Sequence, residues 1–214
     1  MKLSKAHFIK DLETKLGPIY SFFAEESIQI SELTDEVIKK AKLAGFEDKQ
    51  THIITKDTDW NFLSSENENF DLFGSKKIVE VKLIGTGPGN KGSKAIKDYC
   101  LDADENKLLI ISAERLEKKQ QTSAWAKALD ENGIFVVEPP VNKSSMPGWI
   151  KTKASSLNLN LDVQAIQLLS EKTEGNLLAA SHELMKLSLL FSEQEITLEN
   201  MEKSISNSSK FGIF

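Results

Sequence analysis

Apolar residues gather along this chain in five short β-rich runs: Pro18–Phe23 (PIYSFF), His52–Thr55 (HIIT), Lys77–Ile84 (KIVEVKLI), Lys107–Ser112 (KLLIIS) and Ile134–Glu138 (IFVVE). Several are almost continuously apolar, the pattern of strands in a parallel sheet whose two faces are both covered by helices. Between them the apolar period lengthens to three and four residues. Ile30, Leu33, Val37, Ile38 and Ala41 recur in this way, and so do Ala124, Trp125, Ala128 and Leu129, which predicts amphipathic helices. The opening MKLSKAHFIKDLETKL mixes charge with apolar positions and predicts a further amphipathic helix, without the apolar core of a signal peptide. Strand–helix alternation over residues 1–138 predicts a doubly wound α/β domain with a parallel sheet of about five strands.

Pro139-Pro140 ends that pattern, because two prolines neither extend a sheet ladder nor enter a helix interior. Beyond them no β-rich run appears. Pro147–Leu157, Asp162–Thr173, Asn176–Phe191 and Thr197–Ser204 predict helices, with Asp162, Asn176 and Thr197 placed as N-caps and Gly175 as a helix-ending glycine. The expected organisation is an α/β domain over residues 1–140 and a small all-helical lid over 141–214. That layout resembles the nucleotide-binding AAA+ proteins, a resemblance of architecture that does not fix function.

Charge and composition narrow the partners. The formal net charge of −5 disfavours a protein that coats nucleic acid by itself, since phosphate neutralisation dominates such binding. Of 27 basic residues only Arg115 is an arginine, so bidentate phosphate recognition has one candidate. The single cysteine, Cys100, cannot form an internal disulfide and suits a reducing cytoplasm. No apolar run reaches the length of a membrane span.

The candidate chemistry is mostly negative. A P-loop ATPase should carry G-x-x-x-x-G-K-[ST] after its first strand, where glycine amides and a lysine cradle phosphates. This chain has Ala24-Glu25-Glu26-Ser27 there, placing two carboxylates where a polyanion would lie. A second glycine-rich stretch, Gly87-Pro88-Gly89-Asn90-Lys91-Gly92-Ser93-Lys94, has the spacing but transposes the last two residues. One helical position turns the lysine by about 100°, so it reads as a flexible connection with Ser93 as a cap. His7, His52 and His182 have no ligand neighbours at metal-binding spacing, and Cys100 reads as a buried inert thiol. Neither a catalytic residue nor a cofactor or metal site is expected.

Several motifs, in order along essentially the whole chain, resemble the delta subunit of the bacterial DNA polymerase III clamp loader. They are Pro18-Ile19-Tyr20, Trp60 with Leu63, and Leu72-Phe73-Gly74-Ser75-Lys76-Lys77-Ile78-Val79. Leu108–Ser112 follows, then Gln121-Thr122-Ser123-Ala124-Trp125 with Ala128-Leu129, Pro139-Pro140 and Pro147-Gly148-Trp149-Ile150. The strongest is Glu174-Gly175-Asn176-Leu177-Leu178-Ala179-Ala180 with Glu183-Leu184 and Lys186-Leu187, and Phe211-Gly212-Ile213-Phe214 is similar to the start of the family's third domain. Two departures stand out: Ala24 replaces a glycine common in the family, and the chain stops where the helical collar domain would begin, as in a truncated chain whose competence to assemble is in question.

The resemblance implies an AAA+ fold without ATPase activity, within a DNA-directed DNA polymerase (nucleotidyltransferase) holoenzyme. It implies a subunit that binds the sliding clamp (the beta subunit) and opens its interface, with other clamp-loader subunits as partners, DNA contacted only inside the assembly, and no membrane. It also carries clamp gripping onto Leu72 and Phe73. Read from the residues alone, these are two apolar side chains between the polar run Ser64–Asp71 and Gly74-Ser75, which suits core anchors. An ATP-binding P-loop ATPase and a generic α/β adaptor remain the alternatives.

Overall fold

The N-terminal sixteen residues begin with a strand that their periodicity does not announce. Lys2–Leu3 form β1, and Ser4 then caps helix α1 (Lys5–Thr14) by accepting the His7 amide at 3.4 Å. The structure, a computed structural model, describes residues 2–55, 58–63, 76–85, 87–191 and 195–211, with side chains described to residue 204. The chain divides into two compact units, Met1–Pro139 and Pro140–Phe214.

In the first unit β1 and α1 are followed by β2 (Ile19–Ala24), α2 (Ser27–Leu43), β3 (Asp48–Ile54) and a 3-10 turn at Asn61–Leu63. Then come β4 (Lys77–Leu83), α3 (Gly89–Leu101), β5 (Lys107–Glu114), the single turn α4 (Lys118–Gln121), α5 (Ala124–Asn132) and β6 (Ile134–Val137). Six strands form one parallel sheet in the order β1-β6-β2-β5-β4-β3. The sixth strand beyond the five expected is β1, whose Lys2 and Leu3 pair with Phe135 and Val136. Two residues are too few for a period, so this strand exists only through its hydrogen-bonded neighbour.

The sheet carries a core on each face, which accounts for the continuous apolar runs. Successive strand residues point to opposite sides, so Phe22 and Phe23 belong to different cores. Phe22, Tyr20, Leu108, Ile110 and Val136 pack with Phe8 of α1 and with Leu33, Val37 and Ala41 of α2. Phe23, Val81, Leu109, Ile111 and Phe135 pack with Ile96 of α3 and with Trp125 and Leu129 of α5. Edge-to-face contact of Phe8 with Phe22, at 5.2 Å between centroids, joins helix to sheet. Strand β3 starts four residues before the apolar run His52–Thr55 that announced it. It is an edge strand, and its Asp48–Thr51 half is exposed, so water leaves that half polar.

The second unit contains α6 (Met146–Ser156), β7 (Asn160–Leu161), α7 (Val163–Thr173), α8 (Leu177–Leu190), β8 (Glu195–Ile196) and α9 (Leu198–Phe211). The all-helical expectation is therefore corrected: β7 and β8 pair in parallel, Asn160 with Glu195 and Leu161 with Ile196. This two-residue ladder joins the stretch before α7 to the stretch before α9. Local cap chemistry starts the helices around it. Asn176 Oδ1 accepts the Ala179 amide at 3.0 Å, and Thr197 and Asn200 exchange bonds reciprocally, amide to side chain, at 3.2 and 3.5 Å, as in a capping box. Helix α7 ends on Glu174 and Gly175, both with positive φ (50° and 87°), and Gly175 tolerates that geometry because it has no Cβ. Ile150, Leu169, Ala180, Leu184, Leu187, Ile196 and Met201 make the unit's apolar interior.

Candidate functional site

In an open parallel sheet, ligands bind beyond the C-terminal strand ends where the strand order reverses. Here that point lies at the end of β2, which stands between β5 and β6. The connection from β2 into α2 is two residues long, Glu25 and Glu26, both exposed. Glu26 is the N-cap position of α2 and its side chain makes no capping bond. A two-residue turn has no span in which glycine amides could surround a phosphate, and its two carboxylates repel one. Beside it the Arg115 amide donates to the Ala24 carbonyl at 2.9 Å, and Arg115 itself holds φ of 56°.

Polar groups at this end of the first unit engage one another. Lys5 Nζ sits 2.7 Å from Glu32 Oε2. Gln29, buried on α2, donates through Nε2 to the Pro139 carbonyl at 3.2 Å, and the Glu138 amide donates to the Phe23 carbonyl at 2.8 Å. Burial pushes the Glu138 carboxyl above its ordinary value. Glu32 adds to that rise, while the Lys5 charge and a bond from the Lys5 amide oppose it.

The second glycine-rich stretch also has a geometric role. Helix α3 begins at Gly89, so Gly92, Ser93 and Lys94 lie inside it, and Ser93 is not the cap expected of it. Gly87 and Gly89 take φ of 98° and 68°, which turns the chain into the helix. Gly92 faces the Trp60 indole so closely that a Cβ there would stand 2.3 Å from the ring. These glycines form a turn and a packing contact.

The remaining candidates are dispersed. His7 Nδ1 lies 2.9 Å from Ser4 Oγ, and His182 is exposed on α8. The His52 ring stacks on Phe62 at 3.7 Å between centroids, and burial lowers its pKa. Cys100 is buried, and burial pushes its thiol up to about 11. Among the described residues no group of three or more His, Cys, Asp or Glu side chains could hold a metal ion, and no helix is long and apolar enough to cross a membrane.

Leu72 and Phe73 lie outside the described residues. Their flanks are described. On one side Trp60 and Leu63 are buried in the core beneath α3. On the other, Lys76 Nζ donates to the Ala44 carbonyl at 3.0 Å and lies 5.4 Å from the centroid of the Phe46 ring. Sequence reasoning recognised Lys76 only as part of a motif. Its partners sit some thirty positions earlier, and no local signal links them.

The sheet order, with a packed core on each face, defines the class: a doubly wound parallel α/β fold. A Thermotoga maritima RuvB Holliday junction branch migration motor superposes with a TM-score of 0.51 at 10% identity, covering 95% of this chain and 69% of that one. A Bacillus subtilis DNA clamp loader delta protein superposes with a TM-score of 0.71 at 16% identity, covering 92% of this chain and 61% of that one. At such identities the likeness is one of fold. The family is given by sequence. The model described as DNA polymerase III, delta subunit matches residues 20–138, and the chain belongs to that family. The Escherichia coli K12 DNA polymerase III subunit delta is 30% identical over 203 residues, covering 95% of this chain and 59% of the relative. The Haemophilus influenzae protein of the same description is 27% identical over 205 residues, covering 93% and 58%. The chain thus spans less than two thirds of the length of the relatives it matches.

Proposed function

We propose that this chain binds the sliding clamp and opens one of its interfaces so that the ring can be loaded on DNA, without nucleotide chemistry of its own. The observation that carries the reading is the Glu25–Glu26 turn in a member of the delta family: the AAA+ sheet is kept, while the place for a phosphate loop is two residues long and acidic. On this reading the α/β domain, residues 1–140, carries the clamp-binding element and residues 141–214 form the lid. The other loader subunits are partners, DNA is met inside that assembly, and the work is done in the cytoplasm.

Leu72 and Phe73 are the proposed gripping residues. Burying each in a partner pocket contributes about 1.5–3 kcal/mol, enough for a small hot spot. Opening then needs no bond chemistry. A subunit that binds the sprung interface better than the closed one shifts the ring's equilibrium by that difference in affinity.

Two measurements test the reading. Size-exclusion chromatography of the chain with its cognate clamp should give a co-eluting complex. Calorimetry with ATP and Mg²⁺ should give no saturable heat. A micromolar ATP affinity or separate elution of chain and clamp would each overturn it.

A further inference from the structure

Helix α8 buries one side, through Leu177, Ala180, Leu184 and Leu187, and leaves the opposite side apolar as well. At 100° per residue, Leu178, His182, Met185 and Leu189 fall within an arc of about 60° on that other side, and all four are exposed. Leu178, Met185 and Leu189 keep 50%, 52% and 84% of their surface, and Leu190 on the flank keeps 62%. The stripe runs for three turns, about 16 Å. The carboxylate and the ammonium of this helix, Glu183 and Lys186, pair with each other at 2.8 Å, and Lys186 Nζ also donates to the Ser204 carbonyl of α9 at 3.0 Å. Neither stands on the stripe. A contiguous apolar face of this kind marks a protein contact.

The spacing of the stripe says which partner fits. Its steps of four, three and four residues read the same from either end, so two α8 helices laid antiparallel meet residue on residue. Leu178 then faces Leu189 of the second copy, and His182 faces Met185 of the second copy, each pair occurring twice by symmetry. The positions beside the stripe agree. Ala179 comes opposite Lys186 of the second copy and Ser181 opposite Ser188 of the second copy, so like charges never meet and small side chains let the helices approach. A parallel pair would instead set His182 against itself. The area argues the same way. A symmetric pair buries one patch twice, which takes a stripe of a few hundred Å² toward the roughly 1,200 Å² at which specific interfaces begin. The contact is therefore weak and concentration-dependent.

We propose that this chain self-associates through α8, as an antiparallel helix pair whose twofold axis passes between the levels of His182 and Met185. The proposal is independent of the clamp-gripping reading of Leu72 and Phe73.

Sedimentation velocity of the whole chain tests it from about 5 µM to 1 mM, the range in which so small an interface dissociates. The sedimentation coefficient should rise toward that of a dimer. Leu178→Glu and Leu189→Lys each set a charge against a leucine and should weaken association by about tenfold or more. The double variant Leu178→Glu/Leu189→Lys sets the introduced carboxylate opposite the introduced ammonium at both ends of the pair and should regain association. Both positions are exposed, and the helix dipole favours an acid near its start and a base near its end, so thermal melting should hold in all three. A chain that stays monomeric at the highest concentration overturns the proposal. So does a dimer that survives both single variants, which would use another face. A double variant that associates no better than the single ones would exclude the antiparallel register and sink it too. A monomeric chain whose Leu189→Lys variant loses clamp binding would assign the stripe to the clamp instead.

Discussion

The Asp162 carboxylate accepts the Leu198 amide through Oδ2 at 3.2 Å while its Oδ1 accepts the Ala165 amide at 2.6 Å. One side chain therefore satisfies first-turn amides of both α7 and α9, helices that begin 35 positions apart in sequence. The Asp162 amide completes the junction by donating to the Ile196 carbonyl at 3.1 Å. Helix starts leave unpaired amides that cost stability when buried without a partner, and here one residue serves two of them. Asp162→Ala is expected to destabilise the second unit by about 2–3 kcal/mol, twice the usual effect of losing one cap. Asp162→Asn, with a single side-chain oxygen, keeps at most one cap and should fall between the two. Urea unfolding of the chain measures both, and equal stability of Asp162→Ala and the parent would refute the double cap.

Gly92 is expected to tolerate no side chain while Trp60 stays in place. A Cβ at that position would meet the indole at 2.3–2.4 Å and the Pro88 Cβ at 2.7 Å, both far inside normal contact. Overpacking of this kind costs about 1–3 kcal/mol, so Gly92→Ala should lower the melting temperature despite alanine's better helix propensity. Combining it with Trp60→Leu should recover part of the loss. A double-mutant cycle reads that coupling, and additive effects would show that the two residues do not compete for one space.

Glu80 links stability to acid. Its side chain is nearly buried on β4, and burial alone would raise its pKa. Hydrogen bonds from Lys49 at 2.8 Å and Thr51 at 2.9 Å, together with the charges of Lys49 and Lys82, outweigh burial and hold it below the ordinary value of 4.5. A depressed carboxyl binds its proton more weakly in the folded state than in the unfolded one. Its contribution is therefore complete above 4.5 and is lost as pH falls from there through the lower folded-state value. Glu80→Gln should be less stable at neutral pH and should show a shallower loss of stability on acidification below 4.5. Unfolding free energies measured across that range give the comparison directly.

For Leu72 and Phe73, binding and stability should separate. Replacing both with alanine is expected to weaken clamp binding by hundreds-fold or more, from an anchor of about 3–5 kcal/mol, while melting hardly moves. Core anchors would behave oppositely, with a clear loss of stability and normal binding in whatever remains folded. Melting curves and clamp titrations of the same preparation decide between these patterns.

Much of this protein can be read without tertiary information, where one local signal sufficed. Ile19–Ala24, Lys77–Leu83 and Lys107–Glu114 are apolar along nearly their whole length because helices cover both sheet faces, and that burial is written directly into composition. Asp162 and Asn176 cap α7 and α8 through amides three residues onward, within the reach of a sequence window. The acidic turn at Glu25–Glu26 could be read the same way. Leu72 and Phe73 stand out only through a family motif, since their apolar character by itself favours core anchors.

What remained depended on partners distant along the chain. Lys2–Leu3, Asn160–Leu161 and the polar half of β3 are strands only because a neighbouring backbone completes their hydrogen bonds, and two or four residues carry no period of their own. Gly92 has the spacing of a phosphate loop, yet it is required by an indole 32 positions earlier. Lys76 looks like one surface lysine among many until the fold brings α2's last carbonyl and Phe46 beneath it. Side-chain periodicity reports which face is buried and helix caps report local amide pairing. Only the folded chain specifies which remote backbone, ring or carboxylate a residue meets, because those contacts arise from topology rather than from neighbours in sequence.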